Sequence, residues 1–201
     1  MKKSFFTLLV LSAALSLSSC EDEAVTNSTY ALEEEHSTVE WKGHSPNLYH
    51  DGSFSVKSQD IKVVDGKIKS GTFTIPIVSI QNFDLPEEMK PVLLEHLKSP
   101  DFFHMALHPN ASFKITKVEP SPTPSGETNC AVTGDFTMLG QRHAVTFPAM
   151  VELEDNQMKI DAGFEIDRTK WGMHYAADPA LGEHHILPKV DIKLNLLAHK
   201  K

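Results

Sequence analysis

The chain has 201 residues, with 19 Lys and Arg against 27 Asp and Glu interspersed along it, for a formal net charge of −8. No basic surface marks it as a nucleic-acid binder, and its length favours a single domain with enough core to fold without staples. The two cysteines, Cys20 and Cys130, lie in such different surroundings that a disulfide framework is excluded.

The chain opens as an export signal. Lys2 and Lys3 precede an apolar run from Phe5 to Leu17 that is too short for a comfortable membrane span. It ends in Leu17-Ser18-Ser19-Cys20, which resembles the lipobox of bacterial lipoproteins, where the cysteine is acylated and becomes the mature N-terminus. We expect a signal peptide over 1–19, a lipidated Cys20 leading a flexible acidic tether over 20–29, and an ordered domain over 30–201. Acylation anchors firmly, because each buried CH₂ adds ~0.8 kcal/mol. This places the protein in the bacterial cell envelope, on a periplasmic face or at the cell surface.

Beyond the tether the pattern is that of strands. Val39 and Trp41 point inward from 37–43, and an extended run over 51–64 leads into Asp65-Gly66, a strong hairpin cue. The stretch 67–80 reads as one long strand with Phe73, Ile75 and Ile77 on one face, although Pro76 demands an edge, a bulge or a break. Over 84–98 the period changes: Asp84 and Glu87 read as a capping box, and Met89, Val92, Leu93, His96 and Leu97 share a helical face that Pro91 should kink or divide.

Strands resume over 112–118, and a Pro-rich loop covers 119–127. Val132, Phe136 and Met138 share one side of the next strand, Gly140-Gln141 turns, and Val145, Phe147, Ala149, Val151 and Leu153 alternate again. After Asp155-Asn156 the alternation is cleanest, with Met158, Ile160, Ala162, Phe164 and Ile166 on one side and Lys159, Asp161, Glu165 and Asp167 on the other. An irregular segment over 173–188 precedes a last strand carrying Val190, Ile192, Leu194 and Leu196. Roughly eight strands and one short helix make an all-β antiparallel sandwich or barrel, with closure favoured because it removes edges. Such a barrel is either filled by its own side chains or holds one small ligand.

Several blocks occur in order at matching spacing: His36-Ser-Thr-Val-Glu-Trp41, His96-Leu-Lys-Ser-Pro-Asp-Phe-Phe103, Pro109 with Phe113, Val132-Thr-Gly-Asp-Phe136, and Ile166-Asp-Arg168 with Trp171-Gly172. Together they resemble the YceI-like family of exported bacterial proteins. The resemblance implies a lipocalin-like, eight-stranded antiparallel barrel whose apolar lumen binds an isoprenoid lipid, the chain of a prenylated quinone or a prenyl diphosphate. It implies no cofactor and no enzyme activity, and it leaves a homodimer open.

The candidate lumen residues are Trp41, Phe73, Ile75, Phe113, Phe136, Phe147, Phe164 and Ile166, for each of which core packing is an equal explanation. Arg168 has the planar fork that suits a phosphate head group. Its other reading is structural, closing one end of the barrel with Trp171 through stacking and backbone hydrogen bonds. His104 with His108, and His174 with His184 and His185, raise a metal site, but no acidic partner recurs at ligand spacing. Signatures of hydrolases, zinc proteases and nucleotide binders are missing, and Cys130 reads as a small strand residue. Two other readings stand beside the carrier: an envelope structural or interaction protein with a filled barrel, and a histidine-based metal-binding stress protein.

Overall fold

The computed structural model describes residues 25–154 and 156–201. The signal peptide and Cys20 lie outside the described residues. Strand β1, Asn27–Leu32, takes in residues expected in the tether, so order begins before Tyr30. Burial of the Tyr30 side chain there offsets the entropy of ordering its neighbours.

β2, Thr38–His44, and β3, Tyr49–Ser55, form a hairpin. The short β4, Lys57–Ser58, precedes β5, Ile61–Val64, and β6, Lys67–Ser70. Asp65 and Gly66 join that last pair with φ of 49° and 68°, the two-residue turn that matches the twist of paired strands. β7, Thr72–Pro76, and β8, Gln81–Asn82, come before the helix α1, Lys90–Lys98. β9, Asn110–Pro120, β10, Cys130–Met138, β11, Gln141–Glu154, β12, Gln157–Asp167, and β13, Lys189–Lys200, complete the order.

Among the described residues the expected eight strands are thirteen, because long runs are interrupted. The run over 67–80 is cut at Gly71 and ends at Pro76, which has no N–H to continue a ladder. The turn after β10 falls on Leu139 and Gly140, both at positive φ, one residue earlier than expected. All strands pair antiparallel in one curled sheet whose main path runs β4-β7-β9-β10-β11-β12-β13-β1-β5-β6. β13 is its spine, with β12 along one side and β2 then β1 along the other. The curl returns β6 alongside β9, where the Ile115 N–H donates to the Gly71 carbonyl at 2.9 Å.

A seam opens in the wall between β11 and β12. β11 pairs with β10 up to Ala149, and β12 pairs with β13 along its whole length. Between β11 and β12, however, pairing covers only the turn end, from Met150 opposite Asp161 to Glu154 opposite Gln157. The Asn129 N–H donates to the Ala149 carbonyl at 2.9 Å, so Ala149 turns its backbone groups toward β10. Pro148 therefore faces β12, where it has no N–H to offer. Across the parted strands the Phe147 and Phe164 rings stack 4.2 Å apart and 5° from parallel.

The helix differs from expectation in its start and in the role of Pro91. It begins at Lys90 with Pro91 in its first turn, where a missing N–H costs nothing, so Pro91 opens the helix and does not kink it. Asp84 is no cap. Its carboxylate accepts instead from the Asp51 N–H at 3.0 Å, Asn82 Nδ2 at 2.6 Å and His50 Nδ1 at 2.8 Å, tying β8 to β3. Among the described residues no helix is long and apolar enough to cross a membrane.

Candidate functional site

The alternation that sends apolar side chains inward from each strand leaves space between them. Two adjoining cavities lie inside the curl, an outer one of about 320 Å³ and an inner one of about 100 Å³. Val39, Ile75, Phe136, Ile166 and Ile192 border both. The inner cavity is walled by apolar side chains alone. The outer one reaches the surface between the β2–β3 turn, at Ser45, Leu48 and Tyr49, and the segment holding Glu183 and His184.

All the candidate residues reach these walls. Trp41 and Arg168 border the outer cavity, Phe73, Phe113, Phe147 and Phe164 the inner one, and Ile75, Phe136 and Ile166 both. Leu93 and Leu97 of α1, with Phe102 and Phe103 after it, also line the outer cavity. The signal for Leu93 and Leu97 was the shared apolar face of the helix, and Phe102 and Phe103 follow directly after it.

Arg168 opens a short 3₁₀ turn, Arg168–Trp171, after β12. The Asp167 carboxylate caps this turn by accepting from the Thr169 N–H at 3.0 Å. The Arg168 side chain is 3% exposed and donates four hydrogen bonds, all to backbone carbonyls: Leu187 at 3.2 Å, Met173 at 2.6 Å, Tyr175 at 2.9 Å and Ile186 at 2.8 Å. Burial pushes its pKa down, with the Asp167 charge opposing. Among the described residues no carboxylate forms an ion pair with it, so one cation organises both ends of the segment over 173–187 that forms one lip of the mouth. Trp171 contributes differently from the stacking expected with Arg168. Its indole N–H donates to the Phe136 carbonyl at 3.1 Å, and its ring packs against Phe136 and His143 at 5.2 and 5.3 Å.

Paired histidines edge the mouth. His44 meets Asp191 at 2.8 Å, joining β2 to β13, and His50 meets Asp84 at 2.8 Å. Burial pushes the Asp84 carboxyl up, but the Asp51 N–H, His50 and Asn82 together outweigh it, and the net pKa lies below the usual aspartate range. A carboxyl depressed by folding stabilises above its unfolded pKa of about 3.9, and this contribution fades as pH falls through the lower folded value. Asp84→Asn should therefore flatten the acid limb of stability in urea titrations from pH 6 to 2; an unchanged limb would contradict the assignment.

The family model described as a YceI-like domain matches residues 30–198. The chain belongs to the YceI-like family. Solved structures share its fold. Burkholderia cenocepacia BcnA is 22% identical with a TM-score of 0.64, over 83% of this chain and 98% of that one. A polyisoprenoid-binding domain from Saccharophagus degradans, implicated in plant cell wall breakdown, is 10% identical with a TM-score of 0.63, over 86% and 98%. The Campylobacter jejuni YceI protein is 17% identical with a TM-score of 0.53, over 67% and 74%. No curated protein matches the chain.

Among the described residues of this YceI-like protein, the His104 and His108 rings sit 5.9 Å apart, and no three His, Cys, Asp or Glu residues converge as a metal site. His185 is buried with Nε2 unpartnered, while its neighbour His184 lies at the mouth. Cys130 is 7% exposed, its Sγ lies 3.6 Å from the Ala149 carbonyl, and burial raises its pKa, which favours the unreactive thiol.

Proposed function

We propose that this YceI-like protein holds the chain of an isoprenoid lipid in its paired cavities, for sequestration or transfer in the bacterial cell envelope, without covalent chemistry. One observation carries the reading: an inner chamber with a wholly apolar wall adjoins an outer one that opens among His44, His50 and His184. A prenyl chain has no polar groups to satisfy and fits such a wall, whereas a polar ligand would lose hydrogen bonds there. The Saccharophagus degradans neighbour, described as polyisoprenoid-binding, supports the same ligand class.

A guanidinium has five N–H donors, and Arg168 has committed four of them to carbonyls. A head group is thus met mainly by the histidines and Ser45 of the mouth, with Arg168 shaping the lip. Transfer from a bilayer gains little hydrophobic energy, so discrimination rests on cavity shape and these polar contacts. Export and attachment through Cys20 rest on the basic start, the apolar run and the lipobox-like Leu17-Ser18-Ser19-Cys20.

The two tryptophans provide a test. Trp41 borders the outer cavity and its indole N–H is buried without a partner, whereas Trp171 borders neither cavity. Titration with farnesol or a short-chain prenylated quinone should shift Trp41 emission saturably at one ligand per chain. Trp41→Phe should remove that signal and leave Trp171 emission constant. An emission that does not respond saturably in the wild-type protein would count against the cavity as the binding site.

A further inference from the structure

The two ends of the sheet are unlike. At one end lie the mouth and the connections that frame it: the β2–β3 turn, the stretch from β7 to β9 that includes α1, the Leu139–Gly140 turn and the segment after β12. At the other end lie the Asp65–Gly66 turn, the Pro-rich loop and the last residues of β13. The chain enters there, with the Thr26 N–H donating to the Asp65 carboxylate at 2.9 Å. Among the described residues ten large apolar side chains are exposed, and nine of them stand at the mouth end. They include Leu48 and Tyr49 at the β2–β3 turn, Met89 and Val92 at the start of α1, and Tyr175 and Leu181 after β12. Val25 alone stands at the other end.

A prenyl chain of about fifteen carbons that crosses open water costs about 12 kcal/mol, at ~0.8 kcal/mol per CH₂. Exchange is therefore fast only where the mouth meets an apolar phase. A protein interface gathers its apolar residues into one packed core, whereas these side chains stand on separate connections around an opening. That arrangement suits a fluid phase, into which each side chain inserts by itself. Tyr49 and Tyr175, half exposed, have the apolar ring and polar tip that favour a membrane–water boundary. Lys42 Nζ lies 3.7 Å from the centre of the Tyr49 ring, a cation placed to meet lipid phosphate. Exposed Glu87, Glu88 and Glu183 stand at the same end, so insertion and not charge attraction carries the contact.

The length of chain before β1 decides which bilayer this end can meet. From Lys189 at the lip to Thr26, the path along β13 and β1 is about fifteen residues, about 50 Å, or about 35 Å of height with strands tilted ~45°. From Thr26 back to Cys20 a fully extended chain spans at most about 22 Å. The tether is too short to turn the mouth face-on toward the membrane that holds Cys20. We propose that the mouth end is a docking surface for a second lipid bilayer, facing the one in which Cys20 is anchored, and that lipid is exchanged there. The inference rests on the isoprenoid reading and on acylation of Cys20, and adds the docking face and its direction.

The experiment uses the acylated protein, purified from envelopes and reconstituted into vesicles of phosphatidylethanolamine and phosphatidylcholine. These should capture a second, fluorescent vesicle population of the same composition. Leu48→Asp combined with Leu181→Asp should lower capture at least about tenfold with the urea midpoint unchanged, while Val25→Asp leaves capture as it was. Lengthening the tether by about forty Gly-Ser residues lets the mouth fold back onto its own vesicle and should also lower capture. Docking is overturned if no second vesicle is captured, or if Val25→Asp loses as much as the rim pair. It is overturned too if the chain captures nothing but forms a dimer that the rim pair breaks, since the face then joins two copies. The facing direction is overturned if Cys20 carries no acyl group, or if the longer tether leaves capture unchanged. The vesicles hold no isoprenoid, so failure of docking and failure of the isoprenoid reading are seen separately.

Discussion

Replacing Arg168 by methionine should lower the free energy of unfolding by about 3–5 kcal/mol, measured by urea denaturation with the wild-type slope retained. Two effects compete. Removing a buried, unpaired cation relieves its desolvation, which by itself would stabilise. Against this, four carbonyls of Met173, Tyr175, Ile186 and Leu187 lose their donor, at about 1–3 kcal/mol for each that stays buried. The second effect wins because the donors come from one rigid fork that no water cluster of the same shape replaces. Domains of ordinary stability have about 5–15 kcal/mol in total, so the loss is a large fraction. Arg168→Lys should recover little, since an ammonium cannot span carbonyls from both ends of the segment. Ligand affinity should fall with the lip. If Arg168→Met instead kept full stability and lost only ligand, the guanidinium would be a head-group contact and not a clamp.

Gly52→Ala should cost about 2–4 kcal/mol, the range of overpacking against an unyielding neighbour. Gly52 lies opposite Asn82 in the β3–β8 pair and opposite Trp41 in the β2–β3 pair. A Cβ there would overlap the Gln81 carbonyl and touch Trp41 Cζ2 at 3.0 Å. Backbone cannot rotate aside as a side chain can, so β8 must shift. That shift pulls on Asn82, which is 3% exposed and donates to the Asp51 carbonyl and to Asp84, and it loosens the His50 side of the mouth. The control is Gly163→Ala in β12, where a Cβ meets nothing within 4 Å and φ is ordinary. It should be neutral or stabilising by up to about 1 kcal/mol through the unfolded chain. Equal losses for both glycines would mean that glycine flexibility, and not the close approach of Gln81, governs Gly52.

Much of the wall was legible because the side-chain period of a strand is two. A slip of one residue would send Phe164 and Ile166 outward with Met158, so one clean alternation places each of them. The same logic brought Trp41, Phe73, Ile75, Phe113, Phe136 and Phe147 to the cavities. Local periodicity says nothing about where a strand breaks, which is why eight strands became thirteen, and nothing about contacts between distant segments. The His44–Asp191 and His50–Asp84 pairs span 147 and 34 residues, and only the folded sheet unites them. The helix start was misplaced because Asp84, a good cap by type, is drawn instead to the β3 backbone and His50. Pro148 was passed over, though its signal was there: a proline inside an alternating strand demands an unpaired side, as Pro76 does, and it marks the seam that Phe147 and Phe164 close.

The most direct test of the cavity as an isoprenoid site is the lipid that the protein itself carries. The full chain, purified gently from bacterial envelopes and extracted with organic solvent, should release close to one prenyl lipid per chain by mass spectrometry. An extract without prenyl lipid, from a preparation whose cavities also fail to take up added farnesol, would contradict the account.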